Sequence, residues 1–149
     1  MSRRSVHLLA CLTVGVGLAL PACGSDGDAD GTVDITLQEF AVIPSATSAP
    51  AGSITFAASN EGPDDDHELV VIRTDLSQEA LPTNDDGSAN EEGEGVVAID
   101  EIPEFAPGEA QSLTLDLAAG AYVLICNVYD PAEQEAHYQE GMRVAFTVT

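Results

Sequence analysis

Four side chains of this chain have the chemistry to share a soft metal ion: His67, Cys126, His137 and Met142. The 149 residues contain only three His, three Cys and two Met, and the others (His7, Cys11, Cys23 and Met1) lie in the first 23 positions. Cys126, His137 and Met142 fall in one C-terminal stretch, while His67 stands far upstream at the start of a β-branched run. Thiolate and thioether are soft donors that suit Cu(I), and imidazole accepts both Cu(I) and Cu(II). Two imidazoles, a thiolate and a weak thioether are the donor set of a type 1 copper electron-transfer centre, in which little rearranges when an electron moves. Zinc also binds Cys and His, but thioether is a poor zinc donor, so Met142 favours copper. Taken singly, each residue has a plainer reading. A lone Cys is usually a small buried hydrophobe, His67 after Asp64-Asp65-Asp66 could be a surface ion pair, and His137 and Met142 could be ordinary loop and core residues.

The elements that would hold these residues read as strands. Val33, Ile35 and Leu37 alternate with polar residues, as do Ile54, Phe56 and Ala58, then Leu113, Leu115 and Leu117, and finally Val144, Phe146 and Val148. This period of two marks strands with one buried face. Residues 68–74 are rich in β-branched side chains, and 121–127 are almost continuously apolar, as in a strand covered on both sides. Pro50-Ala51-Gly52, Ala106-Pro107-Gly108 and Ala118-Ala119-Gly120 punctuate the runs as turns. The expected fold is all-β, a Greek-key β-sandwich of about seven or eight strands. Only residues 77–81 look helical, for a turn or two. Residues 82–95 have no apolar periodicity and form an acidic loop. Asp85, Asp86, Glu91, Glu92 and Glu94 lack the ligand spacing of a calcium loop, so this loop is read as solvated rather than as a cation site.

Cys126 ends one strand and Met142 precedes the last, so the segment between them carries three donors at one end of a sandwich that His67 can also reach. With this order, the chain resembles the cupredoxins over residues 32–149. The likeness rests on His67-Glu68-Leu69-Val70-Val71, on Tyr122-Val123-Leu124-Ile125-Cys126-Asn127, and on His137-Tyr138-Gln139-Glu140-Gly141-Met142, with four residues between the last His and Met. The resemblance implies a single type 1 copper ion with His67, Cys126 and His137 equatorial and Met142 axial. Two departures stand out. Ten residues separate Cys126 from His137, more than in simple cupredoxins, and this polar excursion is expected to bulge to solvent while its ends hold the metal. Asp66 stands where many cupredoxins carry an Asn that steadies the Cys sulfur, which leaves that bond absent or supplied by Asn127.

The first segment reads as an address. Two arginines, an apolar run over residues 8–20 and a small-residue exit describe a secretory signal over residues 1–22, and the run is too short to span a bilayer comfortably. Leu20-Pro21-Ala22-Cys23 resembles a lipobox, so Cys23 is expected to carry an acyl anchor and residues 23–31 to form a flexible tether. Ser2-Arg3-Arg4 bears a faint likeness to a twin-arginine signal, though His7 stands where an apolar residue is preferred. With Cys11 in the leader and Cys23 acylated, Cys126 is the only free thiol left, so no internal disulfide is possible.

The charge is lopsided. There are 26 Asp and Glu against four Arg and no Lys. All 26 acids lie beyond residue 22, where Arg73 and Arg143 are the only cations, for a formal charge of −24. Such a surface excludes nucleic-acid binding through phosphate neutralisation and electrostatic docking to anionic lipid. The 44% hydrophobic content is enough for a core. No nucleophilic triad or phosphate loop is present, so the expectation is an electron carrier rather than an enzyme. It would be exported and lipid-anchored, with its domain in the periplasm or outside the cell, and would exchange electrons with a partner protein bearing a basic patch. The alternative is an extracytoplasmic copper carrier or storage module with no electron-transfer role.

Overall fold

A computed structural model describes residues 31–149; the expected signal segment, the lipidation site Cys23 and all of the tether but Gly31 lie outside the described residues. Eleven strands and one helical turn follow in order: β1 (Thr32–Gln38), β2 (Ala41–Pro44), β3 (Ser48–Ala49), β4 (Gly52–Asn60), β5 (His67–Arg73), β6 (Val97–Phe105), β7 (Ala110–Leu117), β8 (Gly120–Ile125), β9 (Tyr129–Asp130), β10 (Glu135–Ala136), α1 (His137–Glu140) and β11 (Arg143–Val148). Eight of these strands have four or more residues. One sheet has the order β2-β1-β4-β7 and the other β3-β11-β8-β5-β6. The chain leaves the first sheet after β4, forms the β5–β6 pair in the second, and returns with β7 beside β4, a Greek-key path spread over two layers.

The alternating side chains do what their period requires. Val33, Ile35 and Leu37 of β1 and Ile54, Phe56 and Ala58 of β4 face Leu69 and Val71 of β5, Tyr122 and Leu124 of β8, and Phe146 and Val148 of β11 in one core. Burying each large apolar side chain contributes about 1.5–3 kcal/mol. Phe56 and Phe146 meet edge to face at 5.5 Å across the layers. The opposite faces of β5 and β8 are also covered: Val70, Ile72, Val123 and Ile125 pack with Leu81, Ala89 and Tyr138 in a second cluster. This explains why β8 reads as continuously apolar.

Three sequence expectations change. Residues 77–81 form a single hydrogen-bonded turn (Ala80 N to Ser77 O, 2.9 Å), and the helical turn lies instead at His137–Glu140. The acidic segment 82–95 has exposed acids but is not merely solvated. It buries Ala89 at its middle, follows directly on the buried Leu81, and is laced by Asn84, Asp86 and Ser88. Strand β6 was not anticipated. It forms the sheet edge and is exposed at seven of its nine positions. It therefore has no buried face to show in the sequence, and an edge tolerates its Pro103 and is blunted by Asp100, Glu101 and Glu104.

Candidate metal centre

Three local devices bring the candidate donors together. His67 opens β5 on the inward parity of Leu69 and Val71. Cys126 follows β8 on the inward parity of Tyr122 and Leu124. Antiparallel pairing of β5 with β8 sets Val70 opposite Ile125, which places the two side by side. The third device is the segment after Cys126. Its ten residues fold back on themselves as the β9–β10 ribbon, with Tyr129 opposite Ala136 and Asp130 opposite Glu135. The ribbon closes with a hydrogen bond from His137 N to Val128 O (3.0 Å). The extension thus adds a hairpin without displacing its own ends.

The turn of α1 then returns the chain to the sheet. Gly141 caps it at φ +128°, in a region that favours glycine, and a Cβ there would lie 3.2 Å from Phe40 O. Met142 N donates to His137 O and Met142 O accepts from Cys126 N, both at 3.0 Å. Met142 is wholly buried in the same core cluster as Cys126.

The resulting geometry is compact. His67 Nδ1 and His137 Nδ1 are 3.2 Å apart. Cys126 Sγ lies 3.8 Å from His67 Nδ1 and 3.4 Å from His137 Nδ1. All three residues are at most 1% exposed. A triangle with these edges has its circumcentre about 2.0 Å from each corner, the length of a bond from imidazole nitrogen to a first-row metal and slightly short of one to thiolate sulfur. The three donors therefore fit one such ion without rearrangement, and the core cluster holding Met142 adjoins them.

The electrostatics also suit a cation. Burial, then the neighbouring His137, holds the His67 imidazole below its ordinary pKa against the pull of Glu39, Asp65 and Asp66. Burial likewise lowers that of His137 against Asp65 and Glu39. Burial pushes the Cys126 thiol up to about 12, although the Glu68 and Val128 amides pull the other way. Without a cation the three groups are neutral at pH 7. Loading a metal must displace the thiol proton, so affinity rises with pH.

The bond to sulfur differs from both sequence alternatives. Glu68 N donates to Cys126 Sγ at 3.5 Å. Asn127 turns away: its Oδ1 accepts from Ala89 N (2.6 Å), and its Nδ2 donates to Ala89 O and Glu91 Oε1. Asn127 thereby ties the acidic segment to the end of β8. Two residues not anticipated from sequence also contact the centre, and both sit in the two-residue turn between β1 and β2. Phe40 stacks edge-on to His137 at 5.3 Å, and Glu39 Oε1 lies 3.7 Å from His67 Nε2. Desolvation works against the Glu39 carboxylate, but the amides of Asp65, of Glu39 itself and of Asp64, with the nearby His67, outweigh it and hold its pKa below the ordinary value.

Beside His137 opens a cleft of about 430 Å³ lined by Asp64, Asp65, Asp66, Glu104 and Asp130. The acids of residues 82–95 do not converge in this way. Among the described residues, three potential donors converge only at His67, Cys126 and His137 and at Asp65, Glu135 and His137. No described helix is long and apolar enough to cross a membrane.

Several solved structures share this architecture. They include reduced auracyanin from the photosynthetic bacterium Roseiflexus castenholzii, 22% identical with a TM-score of 0.55, covering 80% of this chain and 97% of that one. Auracyanin B is 23% identical with a TM-score of 0.52, over 79% of this chain and 88% of its own. Auracyanin A, a "blue" copper protein from the green thermophilic photosynthetic bacterium Chloroflexus aurantiacus, is 22% identical with a TM-score of 0.53, over 79% and 98%. No protein-family model and no curated sequence matches the chain. At these identities the likeness establishes the fold, the cupredoxin β-sandwich anticipated from sequence.

Proposed function

We propose that this chain is a mononuclear type 1 copper protein that carries single electrons, an electron carrier rather than an enzyme. The observation that carries the reading is the triangle of His67 Nδ1, His137 Nδ1 and Cys126 Sγ, closed to within 3.8 Å inside the core. The auracyanin fold supports it. Copper, when bound there, supplies a one-electron Cu(II)/Cu(I) couple.

The chain's own residues supply the rest. His67 and His137 offer neutral nitrogen lone pairs, Cys126 gives up its proton to offer a thiolate, and Met142 provides a weak thioether. Each is fixed by strand pairing or by the α1 turn, so neither oxidation state requires them to move. Burial keeps water away from the donors, and Glu68 N steadies the sulfur. The acidic cleft beside His137 supports a redox partner with a basic patch, whose electron exchange slows as salt rises. The leader and Cys23 support export and lipid anchoring at the outer face of a membrane.

The test is an absorption spectrum of the chain after addition of one equivalent of Cu(II). The expected result is an intense visible thiolate-to-Cu(II) band that bleaches reversibly on reduction and is absent in Cys126→Ala. Stoichiometric copper binding without colour would overturn the reading. Tight Cu(I) binding without a reversible voltammetric couple would indicate a copper carrier instead.

A further inference from the structure

His67 presents Nδ1 to His137 and Cys126, so its Nε2 faces the other way, into the protein. That nitrogen is buried without a hydrogen-bond partner, and so is Glu39 Oε2. The two residues face each other, with His67 Nε2 3.7 Å from Glu39 Oε1. Glu39 is not free to swing away: its Oε1 accepts from Asp64 N (3.0 Å) and Asp65 N (2.8 Å), the residues just before His67 in the chain. The β1–β2 turn thus delivers a tethered carboxylate to the back of one imidazole.

Resting on the copper reading above, we propose that Glu39 is a positioning residue for the metal: it holds His67 in the tautomer that leaves Nδ1 free to bind copper, and its charge favours Cu(II) over Cu(I). The physical reason is simple. An imidazole that binds through Nδ1 must carry its proton on Nε2, and a carboxylate facing Nε2 stabilises that arrangement. Metal-bound imidazoles are oriented this way as a rule, and loss of the partner typically costs about 10–100-fold in metal affinity or activity. A fixed negative charge also stabilises the more highly charged metal state. His137 is placed differently: the Asp65 and Glu135 carboxylates lie within 4.8 Å of one of its ring nitrogens, and Phe40 meets its ring edge-on at 5.3 Å, so the two imidazoles are not equivalent.

Glu39→Gln separates charge from architecture, because the amide oxygen can still accept from Asp64 N and Asp65 N. It keeps an oxygen facing His67 Nε2 but removes its charge, which weakens the preference for a proton on that nitrogen. Two measurements decide the matter. The first is nitrogen-15 NMR of the histidines in the metal-free chain. The parent is expected to show His67 with its proton on Nε2, and the variant a mixture of the two tautomers. The second is voltammetry of the copper-loaded chain. Here the affinity for Cu(II) relative to Cu(I) is expected to fall about tenfold, which for one electron raises the potential by about 59 mV. A Glu39→Gln variant indistinguishable from the parent in both tautomer and potential would overturn the proposal and leave Glu39 as a clamp for the turn. Absence of a blue centre in the parent would overturn the copper reading, while the tautomer measurement would still decide the role of Glu39.

Discussion

Asn60 is the residue on which the approach to His67 depends most. It ends β4, is 1% exposed, and its side chain makes three hydrogen bonds. Nδ2 donates to Asp65 O and Phe105 O, both at 2.9 Å, and Oδ1 accepts from Gly62 N at 2.8 Å. Asp65 lies two residues before His67, and Phe105 is the β6 partner of His67 itself. One amide therefore fixes the start of β5 from both sides. In Asn60→Asp the shape and the Gly62 bond survive, but the second carboxylate oxygen would face two carbonyl oxygens at the 2.9 Å the amide now spans. Folding then requires this carboxyl to stay protonated, which from an ordinary Asp pKa costs about 4 kcal/mol at pH 7 and about 1.5 at pH 5. One proton serves only one of the two carbonyls, so the orphaned one adds about 1–3 kcal/mol at either pH.

The assay is urea unfolding of the metal-free chain, followed by far-UV circular dichroism at pH 5 and pH 7, for the parent, Asn60→Asp and Asn60→Ala. The loss in Asn60→Asp relative to the parent should grow by about 3 kcal/mol between the two pH values. Asn60→Ala orphans all three partners and should lose about 3–5 kcal/mol at both, with no such growth. If Asn60→Asp were as stable as the parent at pH 7, or if its deficit did not change with pH, the reasoning that the amide donates to two buried carbonyls would be refuted.

Two further outcomes follow from the same hydrogen-bond map. Tyr138 OH accepts from Leu81 N (3.2 Å) and donates to Gln78 O (2.8 Å), so Tyr138→Phe should lose about 2 kcal/mol. It should also speed amide exchange at Leu81 while leaving the copper spectrum in place; unchanged exchange would argue against the bond. Glu68 has its carboxyl pushed up to about 7, by burial first and then by Glu101, against the Asn127 amide. In the metal-free chain the folded state thus keeps a proton that the unfolded state releases above about 4.5. Stability therefore falls as pH rises through that window, by about 3 kcal/mol in all. Glu68→Gln keeps an acceptor for Asn127 N and should remove this fall, so the variant should be the more stable of the two at pH 8 and not at pH 4.5 in denaturant titrations.

The convergence of His67, Cys126 and His137 was legible because His and Cys are rare in this chain and because the strand parity of His67 and Cys126 is unambiguous. Residues such as Leu124 and Cys126, or His67 and Leu69, share a face by period alone. What escaped lacked either signal. Strand β6 buries only Ile102 and Phe105, so no alternation marks it. Strands β2 and β3 span four and two residues, too short for a pattern to emerge. Glu39 is one of 26 acids, and only the folding of the β1–β2 turn onto β5 distinguishes it from the rest. Asn127 was legible as a polar residue beside Cys126, yet its partner Ala89 lies 38 positions away, beyond any local inference.

The β9–β10 ribbon separates two tasks within the segment between Cys126 and His137. Its base, pinned by the His137 N to Val128 O bond, serves the donors. Its tip, the exposed turn around Pro131-Ala132-Glu133, is held instead by Asp130 Oδ1, which accepts from Ala132 N and Glu133 N. Residues at that tip can be exchanged, lengthened or recharged without disturbing the triangle of nitrogen and sulfur. Under the function proposed above, the hairpin is in effect an interchangeable head, through which the choice of partner can drift while the geometry of the donors stays where the core sets it.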